Sequence, residues 1–148
     1  MDHFFSPDLH QSTAPFSHAV THDGLVYTAG IIGQDATSGT VVSGDVAEQC
    51  SAMLANLAAL LDGIGVRRED AVRTTIYLTD YDDLAVVNKV YGGWFTSPYP
   101  ARTTLQVAAL PLGARVQIDA GSASLAAGSS APSTAGAATE DCRYSVTS

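Results

Sequence analysis

Residues 45–65, DVAEQCSAMLANLAALLDGIG, constrain the fold more than any other stretch. Asp45 and Glu48 form an Asp-x-x-Glu capping pattern at its start. Cys50, Met53, Leu54, Leu57 and Leu61 recur at helical spacing, and Gly63 and Gly65 close it. Such a helix has one apolar stripe and must bury it against another layer. The stretch that follows, AVRTTIYLTD, is rich in β-branched residues and reads as a strand. On it, Val72, Thr74, Ile76 and Leu78 share one face.

The remaining elements fall around this pair. FSHAV and GLVYTAGII read as strands joined by a THDG turn, and GTVVSG as a short third strand. A second helix is expected from about Asp83 to Phe95, capped by Asp82. RTTLQVAAL and ARVQIDAGS read as the last two strands. The order β-β-β-α-β-α-β-β predicts an α+β domain, a mixed six-stranded sheet with two helices packed on one face. The other face is left for solvent or a partner. Charged residues are only 15% of the chain, which favours a partner.

Near residue 126 the composition turns to Ala, Gly, Ser, Thr and Pro, so the domain is expected over 1–126 and a flexible low-complexity tail over 127–148. The net charge of −8 argues against nucleic-acid binding, which needs clustered Lys and Arg. Cys50 and Cys142 offer no disulfide framework and no zinc spacing. The N-terminus lacks the features of a signal peptide, and no apolar run reaches the ~18 residues of a membrane span. A soluble cytoplasmic protein is expected.

Two isolated charges flank the last strands. Alternation puts Arg102, Thr104 and Gln106 on one face of the first strand, and Arg115, Gln117 and Asp119 on one face of the second. Pro111 and Gly113 in the connector suggest a reversal, so the two strands are expected to pair antiparallel and bring Arg102 and Asp119 together. Such a pair would be a cross-strand salt bridge, or a site in which Arg102 grips a ligand carboxylate and Asp119 holds a water. His18 and His22 have the H-x3-H spacing of a helical metal pair, but on a strand four residues span ~13 Å, too far for one ion. Gly30 and Gly33 suit close approach of backbone to a ligand or a plain turn. Tyr91 and Trp94 are expected in the core or a subunit interface.

The segments APFSHAV, GLVYTAGIIGQDATSGTVV, YDDLAVVNKVYGGWF and PARTTLQVAALPLGARVQIDA resemble, in order, motifs of the RidA/YjgF family, the reactive intermediate deaminases. The likeness spans roughly residues 12–123. It implies a chorismate-mutase-like fold, a homotrimer around a central barrel and ligand clefts between subunits. It implies hydrolysis of small imine and enamine carboxylic acids, with no cofactor and no metal. By the same resemblance Arg102 is the carboxylate-binding arginine and Asp119 stands where the family has a water-orienting glutamate. Phe16, Ala29, Gly30, Ile31, Asn88 and Thr104 would line the substrate pocket. Phe16 and Ala29 lack hydroxyls common in the family, Asp119 is one methylene shorter than glutamate, and Ile31, Ile32 and Gly33 replace Gln-Ile-Pro. The changes would suit a bulkier or more apolar intermediate. A non-catalytic carboxylate-binding protein and a recruited biosynthetic enzyme are the alternatives.

Overall fold

The computed structural model describes residues 1–124. The expected tail at 127–148, with Cys142, lies outside them. The described chain forms strands β1 (Asp2–Phe4), β2 (Ala19–His22), β3 (Leu25–Thr28) and β4 (Ile31–Ile32), helix α1 (Val46–Ile64), strand β5 (Ala71–Leu78), helix α2 (Leu84–Trp94), and strands β6 (Ala101–Gln106) and β7 (Val116–Ala123). The α+β class with a mixed sheet and two helices is as expected. The sheet has seven strands, not six, in the order β1-β2-β3-β7-β5-β6, with β4 also on β7.

Helix α1 begins as its sequence dictates. The Asp45 carboxylate accepts the Glu48 N–H at 3.0 Å. It ends at Gly65, which adopts φ 82° and donates its N–H to Asp62. Its stripe of Cys50, Met53, Leu54, Leu57, Leu60 and Leu61 is buried against Ile76, Val116 and Ile118 of the sheet. The Asp23–Gly24 turn joins β2 to β3 with φ of 49° and 76°, the two-residue hairpin geometry that matches strand twist. A single-turn 3-10 segment, Tyr81–Asp83, precedes α2. Its cap is Asp80, which accepts the Asp82 N–H, and not Asp82. Asp83 is instead held by Arg115, whose Nη2 lies 2.7 and 2.8 Å from its two carboxylate oxygens.

Three strand expectations need correction. The GTVVSG segment contributes only an isolated bridge between Gln34 and Val41. GLVYTAGII is not one strand, because it breaks at Ala29 and Gly30. Tyr27 opposes Gly121 and Ile31 opposes Ile118, so four steps on one side meet three on the other. That is a β-bulge, and it turns Ile31 inward to the core. Val72 leaves the face it was assigned for a similar reason: the register shifts between Ala71 and Arg73, and Val72 is exposed while Thr74, Ile76 and Leu78 are buried.

The larger correction concerns the last two strands. β6 and β7 do not pair. β5 lies between them, parallel to β6 and antiparallel to β7. α2 supplies the crossover that a parallel pair requires. Among the described residues no helix is long and apolar enough to cross a membrane.

Candidate functional site

The pairing register decides where the chemistry points. Thr74 opposes Arg102 on one side and Ala120 on the other; Thr75 opposes Thr103 and Asp119. Opposed residues project from the same face, and successive residues from opposite faces. Arg102 therefore stands on the helix-covered face with buried Thr74. Asp119 stands on the open face with Thr75. The two do not meet within one chain, and no cross-strand salt bridge joins them.

Arg102 sits on the edge strand β6. Its Nη2 donates to Asn88 Oδ1 at 2.7 Å. Its guanidinium carbon lies 4.8 Å from the centroid of the Tyr91 ring. Asn88 and Tyr91 are three apart on α2 and so share a face. The Tyr91 hydroxyl is itself 2.7 Å from Thr74 Oγ1 in the core. Burial pushes the Tyr91 hydroxyl's pKa up. Among the described residues Arg102 makes no ion pair, in contrast to Arg67 and Arg115. Two neutral groups thus hold an exposed, uncompensated guanidinium in one orientation. Thr104, opposite Ile76, follows it on the same face. Sequence reading placed Tyr91 in the core or a subunit interface; it is buried in the core, and its ring also lies beneath the Arg102 guanidinium.

Asp119 belongs to a second cluster. Its Oδ2 accepts the Tyr77 hydroxyl at 2.6 Å. That bond to Asp119 raises the Tyr77 pKa, with burial adding to it. The bulge at Ala29 and Gly30 falls in β7's register beside Asp119 and Ala120, and Thr28 Oγ1 accepts the Ala120 N–H at 3.0 Å there. Gly30 packs so tightly on Gln117 that an added Cβ would lie 2.3 Å from its amide nitrogen. Gly33 meets a different neighbour, the Gln49 backbone oxygen of α1, at 2.5 Å from such a Cβ. Close approach at Gly33 is therefore helix packing and not a ligand contact.

A cleft of about 480 Å³ opens beside this cluster. Phe16, Ala29, Gly30 and Ile31 line it, four of the residues singled out from sequence; Arg102, Asn88, Thr104 and Asp119 do not. Gln117, Leu112 and His18 line it too. His18 is buried, packs between the rings of Phe5 and Phe16, and its Nδ1 accepts the Ser6 N–H at 2.9 Å. Burial lowers its pKa. His22 lies on β2 beside Asp23 at the hairpin. Among the described residues no group of His, Cys, Asp or Glu is arranged to hold a metal ion.

The candidate residues thus form two separate clusters. One is Arg102, Asn88, Tyr91 and Thr104 at the sheet edge. The other is Asp119, Tyr77 and Gln117 with the cleft of Phe16, Ala29, Gly30 and Ile31. The profile of the family described as Endoribonuclease L-PSP matches residues 8–123, the span that carries both. A human 2-iminobutanoate/2-iminopropanoate deaminase is 43% identical over 106 residues, covering 72% of this chain and 77% of that protein. The chain belongs to the RidA/YjgF family.

Solved structures of the family carry the same fold. RidA from an Antarctic Psychrobacter superposes with a TM-score of 0.79 at 29% identity, covering 83% of this chain and 99% of that one. Escherichia coli TdcF with bound serine gives 0.77 at 27% identity, covering 83% and 98%. Tyr77 escaped the sequence reading, whereas Gln117 was placed on Asp119's face there without a part in the cleft. The signal for Tyr77 was its period-two spacing from Thr75, on the face opposite Thr74 and Ile76.

Proposed function

We propose that the chain is a hydrolytic deaminase that converts imine and enamine carboxylic acids to keto acids and ammonia, with each site shared by two copies in a homotrimer. The observation that carries this is the Arg102 guanidinium, fixed by Asn88 and Tyr91 and, among the described residues, left without an acidic partner. A charged, planar fork held in this way is suited to a ligand carboxylate. Its own Asp119 stands on the other face, so a neighbouring copy supplies the acid. Exposed Leu25, Tyr27, Val72 and Leu105 near the open face and edge of the sheet suit such a contact.

The chemistry balances without a cofactor. An enamine acid tautomerises to its imine. Arg102 fixes the carboxylate and so the position of the imine carbon. Asp119 takes a proton as water attacks; the new C–O bond sends the C=N electron pair to nitrogen. Asp119 returns that proton to the nitrogen; as the carbinolamine collapses, the hydroxyl gives up its proton to the amine, its electron pair forms the C=O, the C–N bond breaks and ammonia leaves. The cleft lies within the usual range for small-molecule sites, ~300–1,000 Å³. Its Leu9, Phe16, Ile31, Pro111 and Leu112 lining favours an imino acid with a larger apolar side chain. The net charge of −8 sets the reading apart from an RNA-directed one.

The test is keto acid formation from imino acids of graded size, generated in place by an amino-acid oxidase. The wild type should accelerate release, with preference for longer side chains, and Arg102→Ala and Asp119→Asn should each lower the acceleration by about tenfold or more. Carboxylate binding without acceleration on any imine would make the protein a binding module and overturn the enzymatic reading.

A further inference from the structure

Among the described residues that line the cleft there is no Asp, Glu, Lys or Arg, and burial lowers the pKa of His18 and so favours its neutral form. A ligand group with a formal charge would lose its water there and meet no ion to replace it. Most polar side chains of the lining are committed to the chain itself. Asn56 Nδ2 donates to the Ile32 and Gln34 carbonyls at 3.0 and 2.9 Å, and Gln34 Nε2 donates to the Gly39 carbonyl at 2.7 Å. Ser12 Oγ accepts the Ala14 N–H at 3.1 Å. The His10 ring packs on Gly39, where an added Cβ would lie 2.5 Å from its Cε1.

Gln117 is different. The register sets it between Ile32 of β4 and Tyr77 of β5, and its carboxamide lies against the Gly30 backbone at the wall of the cleft. Among the described residues that carboxamide has no hydrogen-bond partner. It offers N–H donors and a C=O acceptor side by side within walls made of Phe16, Ile31 and Leu112. A few placed polar groups in an apolar pocket are what fix a ligand's identity. A second carboxamide matches Gln117 at both positions. A carboxylate brings only acceptors, and an alkyl group brings neither donor nor acceptor.

We propose that Gln117 is a specificity-determining residue: the cleft takes a side chain with an apolar body and an uncharged, carboxamide-like end, and Gln117 selects that end over a carboxylate or an alkyl group. This rests on the cleft receiving the substrate's side chain, as in the proposed function, and not on which group activates water.

Three stable acids of one shape test it by calorimetric titration of the full chain. Glutaramate, glutarate and 5-methylhexanoate share one carboxylate and differ at the far end, which is a carboxamide, a carboxylate or an isopropyl group. Wild type should bind glutaramate about tenfold more tightly than either of the others. Gln117→Met keeps the length of the side chain and loses both hydrogen-bonding groups, so the preference should shrink to about twofold or less. Melting curves confirm that the variant is folded. Equal wild-type affinities, a preference that survives in Gln117→Met, or no binding of any of the three would overturn the role of Gln117. Keto acid release from 2-iminobutanoate is measured alongside. No acceleration there, with the glutaramate preference present and lost in Gln117→Met, would overturn the hydrolytic function and leave selection by Gln117 standing.

Discussion

Arg102 donates to Asn88 across 2.7 Å, from the edge strand of the sheet to an exposed turn of the second helix. The bond leaves the guanidinium's charge uncompensated while it removes the side chain's freedom. Removing the cation should cost the charge-assisted bonds to a ligand carboxylate. That is about 1.5–3 kcal/mol, or roughly 10–150-fold in kcat/KM. Arg102→Ala should show it. Asn88→Ala should raise KM about three- to tenfold with a smaller change in kcat, because the arginine remains and only its orientation loosens. Steady-state kinetics on one imino acid measures both.

The two glycines that flank β4, Gly30 and Gly33, should separate site from scaffold. Gly33→Ala drives a methyl into the backbone of α1, which cannot yield. It should destabilise by about 2 kcal/mol and lower Tm by roughly 8 °C. Gly30→Ala meets the end of the flexible Gln117 side chain. It should change Tm by less than about 3 °C, yet displace Gln117 in the cleft and alter the preference among imino acids. Thermal melts and substrate profiles of the two variants make the comparison.

His18 predicts an acid-sensitive fold. Its pKa is lowered by burial, and its Nδ1 can accept the Ser6 N–H only while unprotonated. The unfolded chain therefore binds this proton more readily. Stability from His18 is present above the ordinary histidine pKa near 6.5 and is lost as pH falls through the lower folded value. His18→Gln keeps an acceptor for Ser6 but does not titrate. Tm between pH 7 and 5 should fall less in this variant than in wild type.

Tyr77 titrates in the opposite sense. Its pKa is raised first by the bond to Asp119 and then by burial. The folded state holds this proton more tightly, so the contribution is complete below the ordinary tyrosine value near 10 and is lost as pH rises through the folded value. The difference in phenolate absorbance between wild type and Tyr77→Phe isolates this residue. Its midpoint should lie above the ordinary range and move down toward it in Asp119→Asn.

Local rules made much of this fold legible. The Asp45 cap, the Gly65 stop and the Asp23–Gly24 turn depend on neighbouring residues alone, and each stands where the sequence places it. The Arg102–Asp119 pairing failed because it assumed that strands adjacent in sequence are adjacent in space. The reversing connector carries the chain past β5, and no local pattern in residues 107–115 announces that. The face assignment of Val72 and the continuity of GLVYTAGII failed for one reason: a bulge shifts the period-two alternation by one residue, and alternation cannot reveal its own interruption. The two clusters followed the same division. Resemblance named Arg102, Asn88, Phe16 and Ala29, and alternation set Gln117 beside Asp119, whereas Tyr77's bond to Asp119 emerges only once the strands are in register.

If Arg102 of one copy works with Asp119 of another, variants of the two residues should complement each other. Arg102→Ala and Asp119→Asn chains, each impaired alone, are co-expressed in equal amounts, and the mixed assemblies are assayed for keto acid formation. A site between copies can draw its arginine from one variant and its acid from the other, so about one quarter of wild-type turnover should return. If the mixture is no more active than either variant alone, the two residues do not share a site between copies.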